Sequence, residues 1–420
     1  MGSNKKALIN CSEILVVDLE MSGKPKRGKI RLDSFKDGGI IYENDTIMMV
    51  GRMEDLEPHL DSIEDVIDCK GKLVTPGLID SHTHAVFFGT REDEYELRIK
   101  GASYSEIAKS GGGILNSSRR VRMATQDELV EHTLPYLDSF ISTGITTIEC
   151  KSGYGLDTEA ELKMLRAIKE LNSIHELDLV PTFMGAHEVP EEYRKGKKSK
   201  YIELVINEML PKVASESLAE YCDVFCEKGV YTPLESERIL RAGKKHGLKP
   251  RIHADEIKST GGSELAARIS AKSADHLGAI SPKGIKALSE SDTVATLLPG
   301  TVMFLNLPEY APARKLIDSG TIVALATDFN PGSSPSNNLP LIMGFACSRM
   351  RMTIEEAWAA VTINAAYSLD RSDKIGLLMP GYKADMVVWD VEKSNSIPYH
   401  YGMNLAKMVF KNGKLVYEKK

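Results

Sequence analysis

No apolar run in these 420 residues approaches the ~20 that a membrane span needs. No signal-type apolar stretch follows the first Met either, so neither a membrane nor a secretory route is expected. The opening Met1-Gly2-Ser3-Asn4-Lys5-Lys6 places Lys6 where a myristoylation start wants Ser or Thr. Cysteine is sparse: the 6 residues are scattered at positions 11, 69, 150, 222, 226 and 347. In so long a chain they read as reduced thiols, and the expected compartment is the cytoplasm. An excess of one charge is also missing. A formal net charge of -6 with both signs well mixed offers no basic face to a phosphate backbone, so no nucleic-acid partner is expected.

What is present suits a large soluble core, with 42% hydrophobic and 27% charged residues. From about Leu73 to Asp328, short β-branched runs alternate with amphipathic stretches. Leu73-Val74-Thr75-Pro76-Gly77-Leu78-Ile79-Asp80 reads as a strand ending at Ser81-His82, and Thr146–Cys150, Leu179–Met184 and Asp223–Cys226 as the next three. Pro250–His253, Ser273–His276, Thr293–Leu298 and Thr321–Thr327 complete a set of eight. Leu129, Val130, Leu134, Leu137 and Ile141 fall three and four apart between the first two, as on one helix face. Parallel neighbours need crossover helices, so the pattern predicts an α/β fold with a (β/α)8 TIM-type barrel. The rival, an open doubly wound sheet, normally carries G-x-G-x-x-G in its first turn, which is absent after Ile79.

The flanks carry short strand-like runs such as Ile14–Val17, Ile47–Val50, Asp385–Asp390 and Lys407–Val416. Neither flank is long enough for its own core. The chain is therefore expected to divide into a barrel over 73–366 and a small composite β-sandwich from 1–72 and 367–420. Cys222 and Cys226 lack the C-x2-C spacing and second pair of a zinc site, and read as buried strand cysteines. Gly111-Gly112-Gly113 has no Gly-Lys-Ser/Thr after it, and reads as a loop over the site rather than a phosphate cradle.

A barrel carries its chemistry at the carboxyl ends of its strands. His82, His84, His187, His253 and His276 fall there, five of the chain's 10 histidines, together with Asp328. In His82-Thr83-His84 the two imidazoles are two residues apart, so an extended segment points both the same way. An H-x-H alone is a weak signal. With His253 and Asp328 on the same rim it becomes a metal set of three nitrogens and one carboxylate. That set suits zinc, Fe(II), Mn(II) or Ni(II) better than calcium or magnesium. Such an ion lowers the pKa of a water at an open position to about 7.

Val74-Thr75-Pro76-Gly77-Leu78-Ile79-Asp80-Ser81-His82-Thr83-His84 resembles the opening barrel strand of the amidohydrolase superfamily, and Gly381–Asp390 resembles its return into the sandwich. Five further segments are similar to the imidazolonepropionase family: Lys151–Leu156, Gly185–Pro190, His253–Glu256, Ala274–Leu277 and Thr327–Pro335. The likeness covers nearly the whole chain. It implies hydrolysis of the lactam C–N bond of 4-imidazolone-5-propanoate to N-formimino-L-glutamate, with one divalent metal per chain, Zn or Fe, and a homodimer.

The resemblance also implies roles. His82, His84, His253 and Asp328 become the metal ligands, and Arg91, Tyr104, Tyr154, His187, Glu256, Asn330, Gly332 and Ser333 the substrate contacts. Asp328 or His276 would deprotonate the water, His187 would donate to the oxyanion, and Glu256 would serve the leaving nitrogen. The Arg91 guanidinium would offer a planar fork to the carboxylate tail. Without the family, Tyr154 reads equally as a lid aromatic, Arg91 as a solvated loop charge and His276 as a satisfied core histidine. Lys151, among glycines and without a second full ligand set, is given a structural or electrostatic role. Two alternatives stay open, a deaminase of the same superfamily acting on a cyclic amidine and a non-catalytic scaffold homologue.

Overall fold

The computed structural model describes residues 5–17, 25, 27–28, 32–102, 106 and 111–420. Eight parallel strands follow one another around the molecule: β1 Leu78–Asp80, β2 Ile145–Lys151, β3 Asp178–Ala186, β4 Tyr221–Cys226, β5 Ile252–Ala254, β6 Ser273–His276, β7 Val294–Leu297 and β8 Val323–Leu325. Helices connect them, and several of the helix starts carry their own signal. Thr125 and Glu128 form a capping box ahead of Gln126–Ser142, and Thr232 and Glu235 do so ahead of Pro233–Lys245. Asp157 accepts from Ala160 N at 2.8 Å and opens Thr158–Ile174. The expected (β/α)8 barrel is the observed one.

Closure occurs where the candidate ligands lie. Between β1 and β8 the join is a bridge at Thr83 and Phe329, with His84 N donating to Phe329 O at 2.9 Å and Asp328 N to His82 O at 3.1 Å. His82, His84 and Asp328 are thus held in one backbone seam. At the other end Ile79, Val180, Tyr221, Val294 and Ala324 pack against Ala365, Ala366 and Leu369, so the helix Ile363–Ser368 plugs the amino-terminal mouth.

The single strand expected over 73–80 is two strands. Leu73–Pro76 pairs with Glu13 and Ile14 and with Met386–Trp389, in a sheet built from both chain ends. The chain changes sheets at Gly77, where a Cβ would meet the Thr146 side chain at 2.3 Å. The terminal sheet folds over its own core. Tyr42 and Phe410 lie on strands well separated in its order, yet their ring centroids are 6.4 Å apart. Lys411, buried, joins this body to the barrel by holding Asp178 and Asp385, each at 2.7 Å. No helix among the described residues is long and apolar enough to cross a membrane.

Candidate active site

A cavity of about 900 Å³ opens at the carboxyl end of the barrel. It is lined by His84, Arg91, Tyr154, His187, His253, Glu256, His276, Asp328, Asn330, Gly332 and Ser333, so the structure gathers these candidates on one rim, with His82 buried just beneath. Tyr104 lies outside the described residues. A larger groove of about 1080 Å³ beside Tyr310, Phe345, Tyr399 and Tyr401 contains none of the ligand clusters, so chemistry rather than size selects the site.

The ring nitrogens are sorted by their partners. His82 Nδ1 lies 2.7 Å from Asp275 Oδ2, and His253 Nδ1 lies 3.1 Å from Asp223 Oδ1. A carboxylate only accepts, so both Nδ1 atoms carry a proton. Burial holds the His82 ring neutral and leaves its Nε2 bare, whereas at His253 the Asp223 carboxylate outweighs burial and raises the pKa. His82 Nε2 is buried with no hydrogen-bond partner among the described residues, and stands 3.5 Å from Asp328 Oδ1. His84 Nε2 lies 3.9 Å from the same oxygen. The bare His82 nitrogen and a carboxylate oxygen facing one another are repulsive unless a proton or a cation lies between them.

His82, His84 and Asp328 form one group with ligating atoms within 4.8 Å of each other, and His82, His253 and His276 form another. The residues present therefore fit a divalent ion, with His276 as an additional nitrogen at its edge. The backbone is strained at the same places: His276 has φ 77 and Asp328 φ 55, both left-handed for residues with a Cβ.

Beneath the ligands the barrel interior is ionic rather than apolar. Lys151 Nζ, fully buried, lies 2.6 Å from Glu149 Oε1, 2.7 Å from Asp223 Oδ2 and 3.8 Å from Asp275 Oδ2. Arg251 is also buried and donates to Ser81 O at 2.8 Å and Ser368 O at 3.0 Å. Burial opposes the charge on Lys151, but Asp223 and Glu149 outweigh it and hold its pKa above the ordinary lysine value. Its ammonium connects the two carboxylates that orient His82 and His253. The electrostatic role expected for Lys151 has a geometry here. Sequence reading missed the roles of Asp223, Asp275 and Glu149, although a charged pair two apart, Glu149 and Lys151, in an otherwise uncharged run was a usable signal.

His187 requires a revision. Its Nδ1 lies 3.0 Å from Gly153 O, and a carbonyl only accepts, so the proton sits on Nδ1 and Nε2 is bare. Burial holds the ring neutral by lowering its pKa to about 3. A neutral ring in this tautomer accepts a hydrogen bond through Nε2, so the expected donation to an oxyanion does not fit. Gly153 permits the approach: its φ is +108, and a Cβ would meet His187 Nδ1 at 3.0 Å. Glu161 fixes the same segment by accepting from the backbone N–H groups of Gly153, Gly155 and Leu156 at 3.1, 2.8 and 2.8 Å.

Burial raises Asp328 to about 6, although Thr301 Oγ1 donates to its Oδ2 at 2.5 Å. Burial, then the neighbouring Asp328 charge, raises Glu256 to about 8, and His276 Nδ1 stands 3.7 Å from its Oε1. The Arg91 fork is only partly open, since its Nε and Nη2 donate to Glu94 Oε2 at 2.9 and 2.6 Å. Asn330 braces the turn beside it. Its Oδ1 accepts from Gly332 N and Ser333 N, each at 2.8 Å, and its Nδ2 donates to Asp328 O at 2.6 Å and to Ser333 Oγ at 2.8 Å. Its side chain is committed to the turn, which presents Gly332 and Ser333 to the cavity.

Known proteins resemble this chain over nearly its whole length. The amidohydrolase family model matches residues 73–416. The imidazolonepropionase of Shouchella clausii is 47% identical over 412 residues, covering 97% of this chain and 92% of that one. That of Bacillus cereus (strain G9842) is 46% identical over 410 residues, covering 98% and 96%. Among solved structures, the guanine deaminase of E. coli superposes with a TM-score of 0.73 at 16% identity, over 99% of this chain and 100% of that one. An atrazine chlorohydrolase mutant of Arthrobacter aurescens complexed with zinc and atraton gives 0.71 at 14%, over 98% and 95%, a likeness of fold alone. By the family model and by near full-length identity to its curated relatives, the chain belongs to the amidohydrolase family and, within it, to the imidazolonepropionases.

Proposed function

We propose that this chain hydrolyses the lactam C–N bond of 4-imidazolone-5-propanoate to N-formimino-L-glutamate, using one divalent ion, Zn or Fe, held by His82, His84, His253 and Asp328. The observation that carries the reading is the convergence of His82 Nε2 and His84 Nε2 on Asp328 Oδ1, on the rim that also holds Arg91. When bound, the ion supplies Lewis acidity and brings the pKa of a water at the cluster to about 7.

The chain's own groups do the rest. Arg91, with Tyr154 and the Gly332–Ser333 turn, binds the propanoate and sets the ring over the cluster; Tyr104 belongs to this set by resemblance. His187 accepts a ring N–H at Nε2. Water adds its oxygen to the ring carbonyl carbon, and Asp328 takes the proton, His276 helping to orient that water. As the C–N bond breaks, Glu256 gives a proton to the departing nitrogen, a task suited to a carboxyl still protonated near neutral pH. A cytoplasmic homodimer belongs to the same reading, and the six unpaired cysteines are in keeping with that compartment.

The competing deaminase activity would release ammonia from a cyclic amidine, whereas ring opening releases none. Incubation with the imidazolone should consume the ring and yield the formimino product without free ammonia. Ammonia in step with ring loss would overturn the assignment. An intact ring with metal-loaded protein would do the same.

A further inference from the structure

The Arg91 side chain is buried at the cavity wall and clamped on two sides. Along one edge, Nε and Nη2 meet Glu94 Oε2 at 2.9 and 2.6 Å. On the other side lies Gly332, where a Cβ would stand 2.0 Å from Nη1. Nη1 makes no hydrogen bond among the described residues, and both Arg91 and Gly332 line the cavity. Glu94 is itself held: its carboxylate accepts from Gly113 N at 3.1 Å and from Asn116 Nδ2 at 2.9 Å. Burial opposes its charge, yet Arg91 keeps its carboxyl below the ordinary range.

A guanidinium loose on its stem could follow a carboxylate over a few ångströms. This one cannot, because its fork edge is taken and its free nitrogen abuts backbone. We propose that Glu94 is a positioning residue that sets the length of tail the site accepts, fixing Arg91 at one distance from the ligand cluster. The proposal rests on the reading of Arg91 as the tail's partner. A tail one methylene shorter or longer would then miss either Nη1 or the cluster. A single methylene commonly separates substrates by roughly 10- to 200-fold.

The test measures kcat/KM of the metal-loaded protein for the propanoate and for its acetate and butanoate homologues, in the parent and in Glu94→Gln. The parent should prefer the propanoate within that span. The variant, its Arg91 released from a charged partner, should narrow the preference to about threefold or less. A purely structural role for Glu94 would lower all three substrates alike and leave the ratios unchanged. Unchanged ratios in folded Glu94→Gln would overturn the proposal. Should that variant not fold, Glu94→Asp, too short to span Arg91 and Gly113 together, should relax the ratios in the same way, and unchanged ratios there would overturn it equally. A parent that ignores tail length and accepts a tail-less ring would instead sink the reading of Arg91, and this proposal with it.

Discussion

The imidazole of His82 and the carboxylate of Asp275 meet at 2.7 Å with both side chains fully buried, and this contact holds the proton of the neutral ring on Nδ1, leaving Nε2 free to face the ligand cluster. Replacing Asp275 by Ala frees the ring to turn and to protonate on either nitrogen. Affinity for Zn2+, measured by competition with a chelator, should fall about 10- to 100-fold, the usual effect of removing a ligand's supporting partner. A folded Asp275→Ala protein with parental affinity would contradict the orienting role.

Lys151 bears on how many ions the chain takes. In superfamily members that bridge two metals with a carboxylated lysine, the amine must be free to react. Here the ammonium is engaged by Glu149 and Asp223 at 2.6 and 2.7 Å. Elemental analysis of active protein should therefore give one equivalent of divalent metal per chain. Two equivalents, both needed for turnover, would overturn the one-metal reading and give Lys151 a bridging role. Lys151→Met leaves two buried carboxylates without their cation and should destabilise the fold by roughly 3 to 5 kcal/mol, read by chemical denaturation.

Much of this was legible in the chain. Strand ends were marked by residue type, because a histidine or aspartate that closes a β-branched run needs a reason to be there, and five such ends agreed. What escaped depends on partners distant in sequence. Buried charges are rare, and nothing local in Asp223 or Arg251 announces that one meets Lys151 and the other Ser81 and Ser368. The proton position on His187 is set by a single carbonyl, Gly153, which no periodicity reveals. The division of Leu73–Asp80 was hidden for a simpler reason: both strands are fully buried, so the apolar run passes through Gly77 without a change of pattern.

Asp328 should tolerate no neutral replacement. One oxygen faces His82 and His84, and the other accepts from Thr301. Asp328→Asn should lower kcat by at least about 10²-fold. Full activity with metal still bound would refute both the ligand role and the proton transfer. Loss of metal together with activity would support the ligand role.

Glu256 predicts the alkaline limb of the pH profile. Its carboxyl, raised to about 8 by burial, must be protonated to act as an acid, so kcat/KM should fall as pH rises through that pKa. A cation at the cluster draws the value down, which places the limb at or below about 8. Glu256→Gln keeps the shape and has no proton to give. It should lose about 10²-fold or more and show no such limb. A limb that persists in the variant belongs to another group.

At the opposite, amino-terminal end of the barrel, Asp370 binds Lys249 at 2.6 Å and Lys272 at 2.5 Å. Burial pushes its carboxyl up, but the two lysines outweigh it and hold the pKa below the ordinary aspartate value. A depressed folded-state pKa means that the folded protein keeps Asp370 ionised where the unfolded chain already protonates it. The contribution is therefore complete above the unfolded value of about 3.9 and is lost as pH falls through the folded one. The lysine side chains are 45% and 38% exposed, so solvent screens both pairs and the total is about 1 kcal/mol. Asp370→Asn should be less stable than the parent by about that amount at pH 7, with turnover unchanged because the residue lies at the far end from the ligands. The gap between the two melting curves should shrink as pH is lowered below about 4. A gap that stays constant down to pH 3, or that widens, would show that the Asp370 carboxylate is not the group whose ionisation joins these strands.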